Sequence, residues 1–524
     1  MSCKNAIISV FNKVNLEKLI PFLEKENYNI YSTGGTLQFI SKIIFDKKKL
    51  FSLSEYTGYP EVCGGRVKTL HPKIYGGILS LPDNEHHQND LSKINALNFE
   101  LVIVNLYPFE NFLLNNPNNE EVLLENIDIG GHTLLRAAAK NYKNITVLSN
   151  PSQYSNFIEN IFCRKQLAMK AFKEAMNYDI AINNWFNREN GDCIGHSLDR
   201  ISSLKYGLNP HMKPSDIYIK KGNHIPFQIL NGQPGYINLL DVNYAIHLVL
   251  ELKELLGIDC CASYKHNSPA GVAIKGEIYS QEKFIYEKNK LDESVASSLF
   301  IRTRNIDPKS SFGDIISYSG KVDKELADVL KLYVSDGIIA ADYTESALDV
   351  LRKKKNGSYL ILKQSLLIKE MEYRDLNGIT LCQPTNDSIL QRDNLGNLAD
   401  SIKNDMILGF ITLKYTQSNS VCFVCDGKVI GIGAGQQNRV DCIKIAGNKA
   451  LDYLERNSIN SYDSVIIMVS DAFLPFTDNI TEASKYHVDY ILQPGGSIRD
   501  KEIEESCKNL GIEMIYSNIR SFTH

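Results

Sequence analysis

The sequence predicts an α/β fold with a parallel sheet in the first 150 residues. Short apolar runs alternate there with amphipathic helical patterns, which is typical of βαβ units. The clearest strands are AIISV (6–10), YNIYS (28–32) and LVIVNLY (101–107). LEKLIPFLEKEN and TLQFISKII follow the first two strands with apolar residues at helical spacing. With 43% hydrophobic and 23% charged residues, the composition is that of an ordered globular chain.

Further along the chain, residues 165–187 predict one long helix, and a polar stretch without periodicity, NRENGDCIGHSLDR, follows it. We therefore expect two domains, 1–198 and 199–524. In the second domain, LLDVNYAIHLVLELKELLG predicts a helix with Asp241 as N-cap and Gly257 at its end, and CCASY predicts a strand. The remainder mixes strands and helices without a repeat of fixed period.

Composition argues against several classes of protein. The 57 basic and 61 acidic residues give a net charge of -4, which disfavours nucleic acid and membrane partners. No run approaches the ~20 apolar residues of a membrane span, and the N-terminus lacks the apolar core of a secretory signal. Eleven irregularly spaced cysteines indicate reduced thiols and a cytoplasmic protein. Cys422 and Cys425 form a C-x-x-C, but the apolar run around them favours a strand over a redox or zinc site.

Two segments of the first domain share a Gly-Gly step between a strand and a helix, STGGT (32–36) and IDIGGHTLLRAAAK (127–140). Such turns let backbone N–H groups and a helix N-terminus bind a phosphate or carboxylate, although two plain tight turns would read the same. The basic segment GGRVKTLHPKIYGG between them suits an anionic ligand, with solvated surface as the alternative. Asn105 and Tyr107 end a strand where ligands bind in open α/β sheets, and Asp128 and Lys140 could supply acid, base or charge.

In the second domain the densest signal is SYKHNSPAGVA (263–273). The ammonium of Lys265 beside His266 favours a neutral imidazole that can act as a base, while a structural histidine is the alternative. KYTQSNS (414–420) is a polar cluster that needs hydrogen-bond partners, of which a ligand is one candidate. GIGAGQQNR (431–439) suggests a dinucleotide loop, but Gln436 replaces the last glycine of that motif. No P-loop or H-E-x-x-H motif is present.

Taken together, these motifs carry a resemblance over nearly the whole chain. STGGT, GGRVKTLHPKIYGGIL, NLYPFE, NIDIGG and LLRAAAKN stand in the first domain; GYINLLD, SYKHNSPAGVA, SSFGD, VSDGIIA, LKYTQSNSVC, GIGAGQQNR and SDAFLPF stand in the second. The chain resembles the bifunctional purine biosynthesis family that joins an IMP cyclohydrolase to an aminoimidazole carboxamide ribonucleotide (AICAR) transformylase.

The resemblance implies an enzyme of the last two steps of IMP biosynthesis. The second domain would transfer a formyl group from 10-formyltetrahydrofolate, a co-substrate, to AICAR, and the first would close the product, FAICAR, to IMP with loss of water. The implied fold is a methylglyoxal-synthase-like first domain and a second domain of two cytidine-deaminase-like units. The resemblance further implies a homodimer with a shared transformylase site. It implies no zinc in the second domain, and a structural monovalent cation there is possible.

The resemblance also assigns residues. For transfer, His266 would accept the amine proton, Lys265 would stabilise charge on the formyl oxygen, and Asn419 would orient the formyl group. Ring closure would use Lys68, Tyr107, Asp128 and Lys140. Substrate in the first domain would be bound by Ser9, Lys13, Ser32, Thr33, Gly34, Gly35, Thr36, Arg66, Thr69, Asn105, Gly130 and Gly131. Nucleotide in the second would be bound by Lys205, Tyr206, Asn238, Phe312, Gly313, Asp336, Arg439, Phe473 and Arg520, and folate by Pro475 and Asp478.

Several positions depart from the family pattern. Lys205 stands where an arginine is usual, and lysine lacks the two-pronged grip of a guanidinium on phosphate. FNK replaces SDK near residue 11, His132 replaces a small or aliphatic residue, and Thr477 replaces an arginine. Three hypotheses follow: a bifunctional enzyme, a chain in which only the cyclohydrolase is fully competent, and a non-catalytic nucleotide sensor.

Overall fold

The computed structural model describes residues 3–189, 191–365, 371–461 and 464–524. It separates into two compact units, Met1–Ser197 and Leu198–His524. The predicted boundary at residue 198 differs from this division by one residue.

In the first unit, the strands are β1 Lys4–Val10, β2 Tyr28–Ser32, β3 Leu50–Ser52, β4 Leu101–Asn105 and β5 Thr146–Leu148. The helices are α1 Leu16–Lys25, α2 Gly34–Ile43, α3 Leu53–Thr57, α4 Pro72–Leu79, α5 Glu85–Lys93, α6 Phe109–Asn115, α7 Glu120–Glu125, α8 Ile129–Lys140, α9 Tyr154–Ile158 and α10 Arg164–Phe186. All strand pairs are parallel, in the order β3-β2-β1-β4-β5, so the predicted parallel sheet is confirmed.

The order of the first sheet determines where a ligand can bind. The chain runs outward from β1 to β2 and β3 on one side, and then returns to β4 and β5 on the other. The central strands β1 and β4 are buried, as nearly continuous apolar runs in parallel sheets are. Their carboxyl ends, at Val10 and Asn105, flank the point where the strand order reverses, which is the usual ligand position in such sheets.

In the second unit, the strands are β6 Leu198–Ser203, β7 Asp216–Lys220, β8 Phe227–Asn231, β9 Cys260–Lys265, β10 Ser268–Ile274, β11 Asp314–Val322, β12 Ser335–Tyr343, β13 Leu360–Gln364, β14 Met371–Leu376, β15 Ile379–Pro384, β16 Val421–Cys425, β17 Lys428–Gly433, β18 Ile467–Ser470, β19 Tyr490–Gln493 and β20 Glu513–Tyr516. The helices are α11 Tyr236–Leu256, α12 Ser280–Asn289, α13 Val295–Arg304, α14 Lys324–Leu330, α15 Glu345–Leu351, α16 Asp400–Lys414, α17 Arg439–Arg456, α18 Asp478–Ser484 and α19 Asp500–Asn509.

The main sheet of this unit contains the same arrangement twice. Its order is β20-β19-β18-β16-β17-β10-β9-β11-β12-β13-β8, with β10 and β17 antiparallel at the centre. In each half a helix precedes an antiparallel hairpin (β9 and β10, or β16 and β17), and a third antiparallel strand and two parallel strands follow. The second unit is thus built from two halves of one topology.

Helices cover both faces of the long sheet. In β9, Cys260, Ala262 and Tyr264 pack in one apolar core with α11 and α16, whereas Cys261 packs in another core with α13, α14 and α15. This alternation follows from the two-residue period of a strand. The predicted end of α11 at Gly257 is confirmed, with φ of 69°. Asp241 as its N-cap is wrong, because α11 begins at Tyr236 and Asp241 is its sixth residue.

Candidate active sites

In the first unit, polar side chains at the strand ends hold the loops that surround the reversal point. Thr36 Oγ1 accepts from the Val10 amide at 3.1 Å and donates to the Val10 carbonyl at 2.9 Å. Asn105 spans the amide and carbonyl of Asn12 in the same way, at 2.7 and 2.9 Å. The buried Ser32 hydroxyl donates to the Ile8 carbonyl. Thr36 and Asn105 therefore fix the loops, and Ser32 links β2 to β1.

Both Gly-Gly steps lie at helix N-termini, as predicted. Thr33 precedes α2, whose first residues are Gly34 and Gly35, and Asp128 is the N-cap of α8, near Gly130 and Gly131. A Cβ added to Gly130 would lie 2.9 Å from the hydroxyl of Thr69, a buried residue of the basic loop. The glycine thus allows that loop to approach the start of α8.

The basic loop directs Lys68 towards the same region. Its ammonium lies 3.3 Å from Glu61 Oε2 and close to Gly34, where an added Cβ would lie 3.4 Å from Nζ. Arg66 instead forms an exposed ion pair with Glu125, so its guanidinium has a protein partner. Of the two predicted cations, Lys68 is the one placed at the start of α2.

Asp128 is a partly buried carboxyl group of this site whose pKa is raised. Burial raises the pKa of Asp128. The Gly131 amide opposes that shift by donating to Oδ1 at 2.7 Å, and the Tyr107 backbone opposes it as well. The charges of His132 and Lys68 also lower the pKa. The interaction with Lys68 brings cation and carboxylate into one electrostatic neighbourhood. Because burial outweighs these opposing interactions, a proton on Asp128 is held more firmly than on a free carboxyl group.

Sequence reasoning missed Tyr178, which fixes the backbone at Asp128. The Asp128 amide donates to the Tyr178 hydroxyl at 2.8 Å, and this hydroxyl donates to the Asn126 carbonyl at 3.0 Å. Tyr178 lies on α10, 50 residues along the chain, where it continues a helical apolar pattern. That pattern explains its burial and gives no signal for the function of its hydroxyl group.

The other predicted groups of the first unit lie as follows. Tyr107 is partly exposed beyond β4, with its ring 5.6 Å from that of Phe11. Ser9 lies in β1, and the Lys13 ammonium donates to the Phe11 carbonyl. Lys140 is the last residue of α8, whose rise of about 1.5 Å per residue separates it from Asp128 by about 18 Å along the helix axis. Within one chain the structure does not bring Lys140 to Asp128.

In the second unit, a cavity of about 340 Å³ contains the predicted catalytic pair. It is lined by Lys265, His266, Ser268, Pro269, Ala270, Ser310, Ile432, Ala434, Gln436, Ile445 and Lys449. Lys265 ends β9 and His266 begins the turn to β10, so the hairpin tip enters the cavity. The Lys265 ammonium donates to the Phe312 carbonyl at 2.6 Å, next to Gly313.

Two further loops are tied to this hairpin. The Gln417 amide donates to Ser268 Oγ at 3.4 Å, and the Gln417 carbonyl accepts from the Gly435 amide at 3.0 Å. The Tyr264 hydroxyl donates to the Tyr415 carbonyl at 2.7 Å. The polar cluster 414–420 and the glycine loop after β17 thus meet the Lys265–His266 turn, although they are about 150 residues away in sequence.

A buried ion pair, which the sequence did not reveal, holds the residues on either side of Asn419. Asp471 pairs with Arg439 and accepts from the Ser418 hydroxyl at 2.7 Å and the Ser420 amide at 2.9 Å. Arg439 also donates to the Ser420 carbonyl at 3.0 Å. Arg439, which was predicted to bind nucleotide, therefore supports the segment that carries Asn419. The only signal for Asp471 was its place in the SDAFLPF motif.

The remaining predicted residues do not line this cavity. Asn238 accepts from the Gly235 amide at the start of α11, and Asp336 pairs with Lys355 at 2.6 Å. Lys205 lies 5.9 Å from the ring of its neighbour Tyr206, and Arg520 lies 4.9 Å from that of Phe522. Phe473 is exposed, Pro475 is half-buried, and the exposed Asp478 begins α18.

Comparison with known proteins gives two family matches. The family described as "AICARFT/IMPCHase bienzyme" matches residues 138–449, and the one described as "MGS-like domain" matches residues 15–133. The chain belongs to the AICARFT/IMPCHase bienzyme family. It is a bifunctional enzyme of the last two steps of purine (IMP) biosynthesis, an AICAR formyltransferase and IMP cyclohydrolase. The predicted family, fold class and function are confirmed, and the sensor hypothesis is excluded.

The relatives agree over their full length. Proteins named "Bifunctional purine biosynthesis protein PurH" are 35% identical over 547 residues in Caldicellulosiruptor saccharolyticus and 36% identical over 540 residues in Clostridium botulinum (strain Okra). Each alignment covers 99% of this chain and 100% of the relative. A solved structure titled "Crystal structure of ForH" is 26% identical over 36% of this chain and 98% of its own, with a TM-score of 0.31.

Other features of this family member lie apart from the predicted catalytic pair. A larger apolar groove of about 800 Å³ lies around the β6–β7 hairpin, with Ile201, Ile217 and Phe227 in its lining. Cys422 and Cys425 are free and buried in β16, as the strand prediction required. In the described parts of the chain, no group of three or more His, Cys, Asp or Glu could hold a metal ion. Nor does any helix described here have the length and apolar character to cross a membrane.

Proposed function

We propose that the unit 198–524 transfers the formyl group and the unit 1–197 closes the ring. The observation that carries this division is the cavity at the β9–β10 turn, where Lys265 and His266 meet the loop that carries Asn419. The first unit instead offers two helix N-termini, Lys68 and a partly buried carboxyl group. Such groups suit phosphate binding and loss of water.

In the transfer reaction, the 5-amino nitrogen of AICAR attacks the formyl carbon of 10-formyltetrahydrofolate. His266 accepts the proton that the nitrogen loses, and Lys265 stabilises the negative charge that develops on the formyl oxygen. Asn419 orients the formyl group. The carbon–N10 bond then breaks, and N10 takes up a proton as tetrahydrofolate leaves. The hydrogen bond from Lys265 to the Phe312 carbonyl supports a fixed position for the ammonium.

In ring closure, the carboxamide nitrogen of FAICAR attacks the formyl carbon and water leaves. Lys68 polarises the formyl oxygen, and Asp128, whose burial favours its protonated form, exchanges a proton with the reacting groups. Tyr107, two residues beyond the end of β4, borders the same region. Lys140 enters this scheme only through the family resemblance, because the structure places it at the far end of α8.

Reciprocal variants test the division of activities. With AICAR and 10-formyltetrahydrofolate, we expect the purified chain to release tetrahydrofolate and form IMP in the same sample. His266→Ala should lower formyl transfer by about 10²- to 10⁴-fold, the range for loss of a general base, and leave closure of supplied FAICAR unchanged. Lys68→Ala should do the reverse. Equal loss of both activities in a folded variant would contradict separate sites.

We also propose a homodimer that completes the transformylase site. The support is that Asn238, Phe473 and Arg520 do not line the cavity at His266 within one chain. Sedimentation should give about twice the chain mass of 59.1 kDa. A cytoplasmic location, the absence of zinc and a structural monovalent cation stay predictions, and we assign no residues to the cation. Exchange of K⁺ for a bulky organic cation, followed by thermal melting, would reveal such an ion.

A further inference from the structure

The turn that carries the catalytic pair has an unusual sequence for its shape. Lys265 and Ser268 are paired at the end of the β9–β10 hairpin, so His266 and Asn267 form a two-residue loop. Both have positive φ, 55° and 58°. Two-residue hairpin loops of this kind favour Asn-Gly or Asp-Gly, because residues with a Cβ are strained there. His266 therefore needs an external constraint to hold its conformation.

Asp241 supplies that constraint from the neighbouring helix. Its Oδ1 accepts from the Asn267 amide at 2.7 Å, and the backbone of His266 also stabilises the charge of this carboxylate. Asp241 is 4% exposed, in the second turn of α11. Burial raises the pKa of Asp241, whereas its bonds to the two turn amides and its interaction with the His266 side chain lower it. The Asp241 carboxylate thus uses its hydrogen-bonding capacity to hold this turn.

The other half of the unit has the same hydrogen bond between a hairpin turn and an aspartate, but it lacks the Lys-His pair. In the β16–β17 hairpin, the two-residue loop is Asp426-Gly427, with φ of 49° and 68°. The Gly427 amide donates to Asp405 Oδ1 at 2.9 Å. Asp405 is the sixth residue of α16, as Asp241 is the sixth residue of α11. The duplicated fold therefore places an aspartate under each hairpin turn, and only the first turn carries Lys265 and His266.

We propose that Asp241 is a positioning residue for formyl transfer, which holds the His266–Asn267 turn so that Lys265 and His266 meet the reacting atoms. This inference rests on the function proposed above for the pair. Asp241 acts through the turn amides, so its loss should reduce turnover more than substrate binding. A displacement of about 1 Å in such groups can cost about 100-fold in rate.

Three variants separate positioning from a general loss of structure. Asp241→Ala should lower the transformylase kcat by about 100-fold. It should change KM for AICAR much less, and closure of supplied FAICAR not at all. Asp241→Asn keeps an acceptor oxygen and should retain most of the kcat. Asp405→Ala removes the equivalent acceptor of the other half and should leave the transformylase kcat near that of the wild type. A normal kcat in Asp241→Ala, or equal losses in Asp241→Ala and Asp241→Asn, would overturn the proposal.

Hydrogen exchange measured by mass spectrometry tests the turn independently of catalysis. The peptide that spans residues 264–270 should exchange faster in Asp241→Ala than in the wild type, and at the wild-type rate in Asp405→Ala. Unchanged exchange in Asp241→Ala would overturn the proposal. If His266→Ala retains transfer while this exchange still increases, the proposed function of the pair fails and the constraint by Asp241 stands.

Discussion

The two hairpins of the second unit share a fold and differ in the chemistry of their turns. Both have two-residue loops with positive φ, and both loops donate an amide hydrogen to an aspartate in the preceding helix. The β16–β17 loop is Asp-Gly, a sequence that this shape favours, whereas the β9–β10 loop is His-Asn. The β16–β17 turn follows local preference, and the β9–β10 turn departs from it where the proposed catalytic pair lies.

This difference shows how a duplicated scaffold acquires a site in one copy. The backbone and its supporting aspartate are common to both halves, so the fold does not depend on His266. His-Asn replaces the favoured Asp-Gly pair only in the turn that lines the cavity. Strain at a functional site persists when the surrounding structure fixes it. The comparison therefore predicts that each turn can be altered without loss of the fold.

The largest effect should come from copying the second turn into the first. In the double variant His266→Asp with Asn267→Gly, the loop gains its preferred sequence and loses the imidazole. We expect transformylase activity to fall by about 10²- to 10⁴-fold, because the general base is lost. The unfolding free energy should rise by about 1 kcal/mol, because glycine relieves the strain at position 267, whereas aspartate at position 266 keeps a Cβ. Activity assays and urea unfolding check the two effects.

The opposite exchange serves as the control. Asp426→His with Gly427→Asn should lower stability and keep transformylase activity, because that turn lies away from the cavity. If the first double variant is less stable than the wild type, the strain attributed to the His266–Asn267 turn is wrong.

A second effect concerns the pH dependence of stability at Asp405. Burial raises the pKa of Asp405 to about 7, although the Gly427 amide opposes the shift. In the unfolded chain this pKa is about 4, so between these values the folded chain binds more protons and stability falls as pH rises. At about 1.4 kcal/mol per pKa unit, the loss by pH 8 is at most about 4 kcal/mol.

Asp405→Asn removes the ionisation and keeps an acceptor for Gly427. We expect it to be more stable than the wild type at pH 8, and the difference to shrink as pH falls towards about 4. Thermal melting of both proteins across this range measures the difference directly. Parallel curves for the two proteins would contradict ionisation of Asp405 as the cause.

The smallest effect distinguishes two costs of adding a side chain at the β16–β17 turn, namely backbone strain and steric contact. Gly257 and Gly427 have nearly equal φ, 69° and 68°, but an added Cβ meets nothing within 4 Å at Gly257 and lies 2.8 Å from Ile274 Cγ1 at Gly427. Gly257→Ala should cost about 1 kcal/mol from conformation alone. Gly427→Ala should cost at least about 1 kcal/mol more, since a side chain must move. Equal losses in urea unfolding would show that the contact relaxes freely.

Much of the architecture could be read from local sequence patterns. The strands at 6–10 and 28–32, the long helix ending near residue 187 and the helix stop at Gly257 all agree with the structure. Such elements follow from apolar periodicity and turn chemistry, which act over a few residues. The position of Lys140 could also have been found, because a 12-residue helix from Ile129 to Lys140 places its ends far apart.

The sequence could not distinguish the polar residues that support the site from those that are free to bind substrate. Thr36, Asn105 and Arg439 use their side chains on internal partners, and Asp241 supports a turn rather than a helix end. These roles depend on contacts between segments up to 93 residues apart, and side-chain type alone does not determine them. The sequence by itself determined the fold class and the family motifs, and it predicted the reacting groups. Only the tertiary structure decided which aspartate holds the catalytic turn, because hydrogen bonding is settled by the distances that packing creates.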